Sequence, residues 1–269
     1  MPYSDRVAAH PSLRIAVVQF APKIGQIQQN LEKARGYCES LAPGSIDLLC
    51  LPEMIFTGYA FENASAILPF LEDPQTGVTS EFCASIAQRL RCHVVAGYPE
   101  RLGPHEVTKR TNEDDGEVVD VVGANSAVVY GPDGTGFATF HLPPPLNTVT
   151  LAICMDLNPR SSWTIDGGPY ELADHCLKTG SNLLNDRDED LSTMNYWATL
   201  LRPLWYRKGD EPNDEGAELK KAPEDVETVV VVCNRSGIEN GAKFAGSSSL
   251  FRLHQSAGKP VEGVCVWRT

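Results

Sequence analysis

Short apolar runs alternating with helix-period segments predict an α/β layer fold for this chain of 269 residues. Three observations carry that reading. RIAVVQF (14–20), HVVAGYPE (93–100) and VETVVVVCN (226–234) have strand length and are rich in β-branched residues. Between such runs, apolar residues recur at the spacing of one helix face, which predicts helices covering sheets. An apolar content of 42% over this length is enough for one large core, so residues 13–269 are read as one domain behind a flexible tail, residues 1–12.

The elements follow in order. RIAVVQF ends near Pro22 as a buried strand, and Ile27, Leu31, Ala34, Cys38 and Leu41 then mark an amphipathic helix. IDLLCLPE (46–53) is a second strand, stopped by Pro52, which lacks the amide proton that a central ladder needs; Glu53 therefore sits just past a buried strand. Phe82, Ile86 and Leu90 mark a second helix, HVVAGYPE a third strand and NSAVVYG (125–131) a fourth. The charged stretch 105–120 reads as an exposed loop or hairpin. TVTLAICMD (148–156) is a fifth strand, and GPYELADHCLKTG (168–180) is a helix with a glycine stop. VETVVVVCN, SSSLFRL (247–253) and GVCVWRT (263–269) are later strands, and the charged patch 207–225 is a solvated loop.

A formal net charge of −12 argues against nucleic acid or an anionic membrane as partner, because both would repel this surface. The start of the chain lacks the apolar run of a secretory signal, and no apolar stretch approaches the ~20 residues of a membrane span. Eight cysteines show no C-x-x-C pair and no zinc spacing with histidine, and several lie inside strands, which predicts reduced thiols in a cytoplasmic protein. No metal or cofactor is indicated.

Two residues stand where α/β folds place chemistry, just beyond strand ends. Cys154, in LAICMDLNP, is a buried structural thiol on one reading and, beside turn amides, a nucleophile on the other. Glu53, in LPEMIFTGY, is a solvated carboxylate or, among apolar neighbours, a general base with an acidity weakened by desolvation.

Five segments, taken in order, resemble the carbon-nitrogen hydrolase (nitrilase) family: RIAVVQFAPKIGQIQQNL, LLCLPEMIFTGY, GANSAVVYGPDG, LAICMDLNP and CNRSGIENGAKFAGSSSLF. TMNYWATLLRPLW (193–205) and the ICMDLNP form of the cysteine segment look most like the fungal protein N-terminal asparagine/glutamine amidases within it. The resemblance implies a four-layer αββα sandwich that usually forms homodimers. It also implies a Glu-Lys-Cys triad acting on carboxamides, here the N-terminal Asn or Gln of protein or peptide substrates. Glu53 matches the general base and Cys154 the nucleophile, with the backbone amide of Met155 facing the oxyanion beside a lysine. Tyr59, Asn125, Asp156 and Asn234 are pocket candidates, although a polar strand-to-turn exit explains Asn234 equally well and a cap explains Asp156.

The lysine has no match. In the family it lies between the GPDG turn and the cysteine strand, in a segment Arg-Lys-x-x-Leu, whereas here GPDG (131–134) runs directly into TGFATFHL and no lysine occurs between Lys109 and Lys178. Three explanations stay open: a substitute lysine, an inactive relative that binds rather than hydrolyses, or an internal segment missing from an amidase sequence, which would leave the sandwich incomplete at the active-site rim. GSNLLNDRDEDLSTMNYW (180–197) adds a second irregularity, since Leu183 and Leu184 are few for a buried strand; it is either a short edge strand or a second loss. His141 invites a Cys-His dyad but precedes PPP, where a surface or hinge role is the simpler reading, and GPDG is a turn, not a phosphate loop. Losing one preorganised oxyanion donor typically costs about 10²–10³-fold in rate, so little or no turnover is expected of this chain.

Overall fold

The computed structural model describes residues 12–111, 116–132, 141–153, 156, 158–159, 162, 164, 167–180, 182–186, 197–206, 227–254 and 264–265. Two sheets organise them. The first runs in the order β1 (Ile15–Val17), β2 (Leu48–Leu51), β3 (His93–Arg101) and β6 (Gly123–Tyr130), parallel across its first three strands and antiparallel at β6. The second comprises β13 (Val264–Cys265), β12 (Ser249–His254), β9 (Glu227–Val232), β8 (Asn182–Asp186) and β7 (Val149–Ile153), with β7, β8 and β9 parallel. Parallel neighbours need long crossovers. Helix α1 (Ile27–Glu39) fills the first, α2 (Ala64–Ile67) and α3 (Val78–Leu90) lie in the second, and α4 (Glu171–Thr179) links β7 to β8. Two antiparallel ribbons stand apart from the sheets: β4 (Thr108–Thr111) with β5 (Val118–Val121), and β10 (Ser236–Glu239) with β11 (Ala242–Ala245).

Strand alternation creates the layers, because successive side chains point to opposite faces. On β2, Leu49 and Leu51 face α1 and α3, where Ala34, Cys38, Phe82, Ile86 and Leu90 complete one core. Leu48 and Cys50 point the other way and meet Val149, Val231 and Cys233 of the second sheet in a second core. Val230 and Val232 of β9 turn outward again, onto Ala173 and Cys176 of α4 and onto Trp197, Leu200 and Leu204. Helices, sheet, sheet, helices: the architecture is the four-layer α/β sandwich that the resemblance implies. Each fully buried Leu, Ile or Phe in these layers contributes roughly 1.5–3 kcal/mol relative to exposure.

Several boundaries differ from those read in the sequence. The first strand keeps only Ile15–Val17 of 14–20, and the helix expected over 168–180 begins at Glu171, after Gly168 and Pro169. Within the 105–120 stretch, Thr108–Thr111 and the residues from Val118 pair as the exposed strands β4 and β5. The short strand around Leu183 is not at an edge: β8 is paired on both sides, by β7 and by β9.

Candidate active site

Glu53 lies two residues beyond β2 and is only 6% exposed. Its main chain rests against β3 at Gly97, where an added Cβ would come within 2.9 Å of the Glu53 Cα. The Met54 amide donates to the Gly97 carbonyl at 3.0 Å, and Met54 takes a left-handed φ of 52°, a conformation that a side chain other than glycine adopts only when its surroundings hold it there. The following loop is pinned at successive carbonyls. Asn30 of α1 donates through Nδ2 to the Phe56 carbonyl at 2.8 Å, the Gly25 amide donates to the Thr57 carbonyl at 2.8 Å, and the Phe56 ring meets Phe82 of α3 edge-on at 4.9 Å.

The carboxylate itself accepts from Asn125. That residue stands at the start of β6 opposite Pro99, and its Nδ2 reaches Glu53 Oε1. Across from Glu53, the second sheet delivers β7, whose last residue, Ile153, donates its amide to Asp156 Oδ2 at 2.9 Å. Glu53, Cys50 and Gly97 on one side and Leu151, Ile153 and Cys233 on the other enclose a cavity of about 30 Å³ at the seam of the two sheets. Among the described residues its lining is apolar apart from Glu53 and nearby main chain. Cys154 and Met155 follow Ile153 directly and lie outside the described residues.

The remaining described candidates do not line this cavity. Tyr59 is 42% exposed and meets Phe244 edge-on at 6.0 Å. Asn234 is buried; its Nδ2 donates to the Gly246 carbonyl at 2.7 Å and its amide to Ser248 Oγ at 2.9 Å, so it braces the turn before β12. His141 is exposed, with Nδ1 3.3 Å from Thr148 Oγ1. Lys109 lies on the exposed β4 opposite Asp120, and Lys178 is exposed in the last turn of α4.

Two residues went unnoticed in the sequence. Arg235, buried after β9, donates through Nη2 to the Glu53 carbonyl and through Nη1 to Glu239 Oε1 at 3.0 Å. Glu239 Oε2 in turn accepts from the amides of Tyr59 at 2.7 Å and Ala60 at 3.2 Å. The available signal was the Arg-x-x-x-Glu spacing shortly after the apolar run 229–233.

Residues 14–141 match the carbon-nitrogen hydrolase family. That match covers just under half of the chain. The chain is 27% identical to a protein N-terminal amidase of Schizosaccharomyces pombe, over 90% of its own length and 92% of the relative's. It is 28% identical over 46% of its length to a protein N-terminal amidase of Saccharomyces cerevisiae, where the match spans 24% of the relative. Among solved structures it is similar to an N-terminal amidase with a Gln-Gly peptide, with a TM-score of 0.66, 16% identity and 94% of each chain covered. A carbon-nitrogen hydrolase of Helicobacter pylori shares the fold at a TM-score of 0.59, with 16% identity over 94% of this chain and 87% of the other. The alignment with the fission-yeast protein runs over 288 residues, more than the 269 of this chain, so that relative contains residues with no counterpart here. No helix among the described residues is long and apolar enough to cross a membrane.

Proposed function

We propose that this site is that of a thiol amidohydrolase acting on the carboxamide of an N-terminal Asn or Gln, and that the chain as it stands turns over poorly. The carrying observation is that Glu53, just past the first sheet, lines one cavity with Ile153, the last residue of β7 on the second; Cys154 follows Ile153 in the sequence, which supports reading it as the nucleophile opposite Glu53. Glu53 takes the thiol proton and Cys154 attacks the carboxamide carbon. The proton then passes to the departing nitrogen, which leaves as ammonia. Water cleaves the thioester to a carboxylic acid and restores the thiol. The net change is amide plus water to acid plus ammonia, with the Met155 amide stabilising the oxyanion. The N-terminal amidase relatives support the substrate class.

The poor turnover rests on the lysine, since none occurs between Lys109 and Lys178 and the fission-yeast alignment is longer than this chain. That same absence favours a second reading, a nitrilase-fold binding protein. Ammonia release from Gln-Gly and Asn-Glu peptides separates the two. A chain with an Arg-Lys-x-x-Leu segment inserted after Gly134 should exceed the unaltered chain by about 10²–10³-fold, and Cys154→Ala should abolish the gain. Equal ammonia release before and after insertion would overturn the poor turnover of the present chain, and no release from either chain would remove the amidase reading.

A further inference from the structure

The two ends of Glu53 are fixed by different parts of the fold. Asn125, from the first sheet, holds its carboxylate, whereas its main-chain carbonyl accepts from Arg235, which enters from the second sheet. Arg235 is 3% exposed and its guanidinium lies 5.1 Å from the ring centroids of both Tyr59 and Phe244. Glu239 completes the arrangement, because one of its oxygens pairs with Arg235 while the other collects the amides of Tyr59 and Ala60. Asn240 Nδ2 adds a bond to the Ala60 carbonyl at 2.8 Å. The β10–β11 hairpin therefore grips both ends of the loop that begins at Glu53 and ends at Ala60.

A buried ion pair is a costly way to stabilise a fold, and apolar residues of the same volume commonly do as well. Here the pair is spent on main-chain groups of a single loop, next to a left-handed Met54 that relaxes unless held. We infer that Arg235, itself held by Glu239, is a positioning residue that sets the main chain of Glu53 and thereby aims its carboxylate into the cavity at the sheet seam. This inference rests on the reading of Glu53 as the general base.

The test reads Cys154 directly, so it does not depend on turnover. Iodoacetamide alkylation of Cys154 is followed by peptide mass spectrometry from about pH 5 to 9 in the full chain, in Glu53→Gln, in Arg235→Lys and in the double variant, with thermal midpoints alongside. Glu53→Gln should slow alkylation near neutral pH by about tenfold or more, and Arg235→Lys should slow it comparably. The double variant should be no slower than Glu53→Gln alone, because a residue that acts through Glu53 has nothing left to act on. Arg235→Lys at the unaltered rate, or slowing that adds fully to that of Glu53→Gln, would overturn the positioning role while leaving Glu53 as base. An unaltered rate in Glu53→Gln would overturn the base itself and the positioning role with it. Glu239→Gln, which keeps an acceptor for the Tyr59 and Ala60 amides, provides the same comparison should Arg235→Lys not fold; its slowing must likewise vanish on the Glu53→Gln background.

Discussion

Gly97→Ala is the most direct probe of how closely the Glu53 turn is built onto β3. An added Cβ would stand 2.9 Å from the Glu53 Cα and 3.3 Å from its Cβ, against the roughly 3.5–4.0 Å at which carbon pairs are comfortable. One partner has to retreat by more than half an ångström, on the order of the difference between those distances. β3 cannot, since it is paired on both sides, by β2 and β6. Glu53 must move, against the bonds from Met54 to Gly97 and from Arg235. Overpacking of this kind costs about 1–3 kcal/mol. At roughly 2–3 °C per kcal/mol for a chain this long, the thermal midpoint should fall by about 2–9 °C. Circular dichroism melting gives the value, with Gly36→Ala as control, because a Cβ there meets nothing within 4 Å inside α1 and should raise the midpoint slightly. Cys154 alkylation in the same samples should slow for Gly97→Ala only. A Gly97→Ala midpoint at or above that of the unaltered chain would refute the close approach.

Other expectations concern protonation and reactivity. Asp47 is held below the usual carboxylate range chiefly by its hydrogen bond from the Arg14 side chain, so its contribution is present above the ordinary value near 3.8 and is lost as pH falls; Asp47→Asn should flatten that acid-side loss in a pH series of urea midpoints. Glu72 is shifted the other way, pushed up by burial despite accepting from the Thr79 amide and hydroxyl. Its stabilising effect is full below the unfolded value near 4.5 and declines as pH rises, so stability relative to Glu72→Gln should shift in the variant's favour as pH rises above that value. Burial pushes the Cys38 thiol up to about 11 and the Cys92 thiol up to about 12. Near pH 8, Ellman's reagent should leave Cys38, Cys83 and Cys92 untouched until guanidinium unfolds the chain, and rapid native labelling of any of them would contradict that burial.

The layers were legible in the sequence because they are written in local alternation. Leu48 to Leu51 are apolar without interruption, as a strand buried on both faces requires, and Pro52 ends the ladder where Glu53 emerges. β8 was harder, because its leucines are followed at once by acidic residues. What makes it an interior strand is pairing to β7 and β9, a property of its neighbours. Arg235 was invisible for a related reason. Its partner at Glu53 is 182 residues away, and nothing local separates a buried cation that grips a carbonyl from one that ends a strand in solvent.

The position of the GPDG join decides how much of the site would depend on a segment inserted there. It falls between β6 and β7, and both strands keep their registers: β6 pairs with β3 from Gly123 to Tyr130, and β7 pairs with β8 from Val149 to Ile153. Gly97, Asn125 and Arg235, which hold Glu53 and the residue after it, lie outside that connection. A segment restored there lengthens a connection between fixed strand ends, and each doubling of loop length costs only about 0.6 kcal/mol. Glu53 and these supports are thus separable from the connection that follows GPDG. A restored chain should melt within a few degrees of the present one while turning over far faster, whereas a chain whose stability collapsed on insertion would show that the short connection is itself part of the fold.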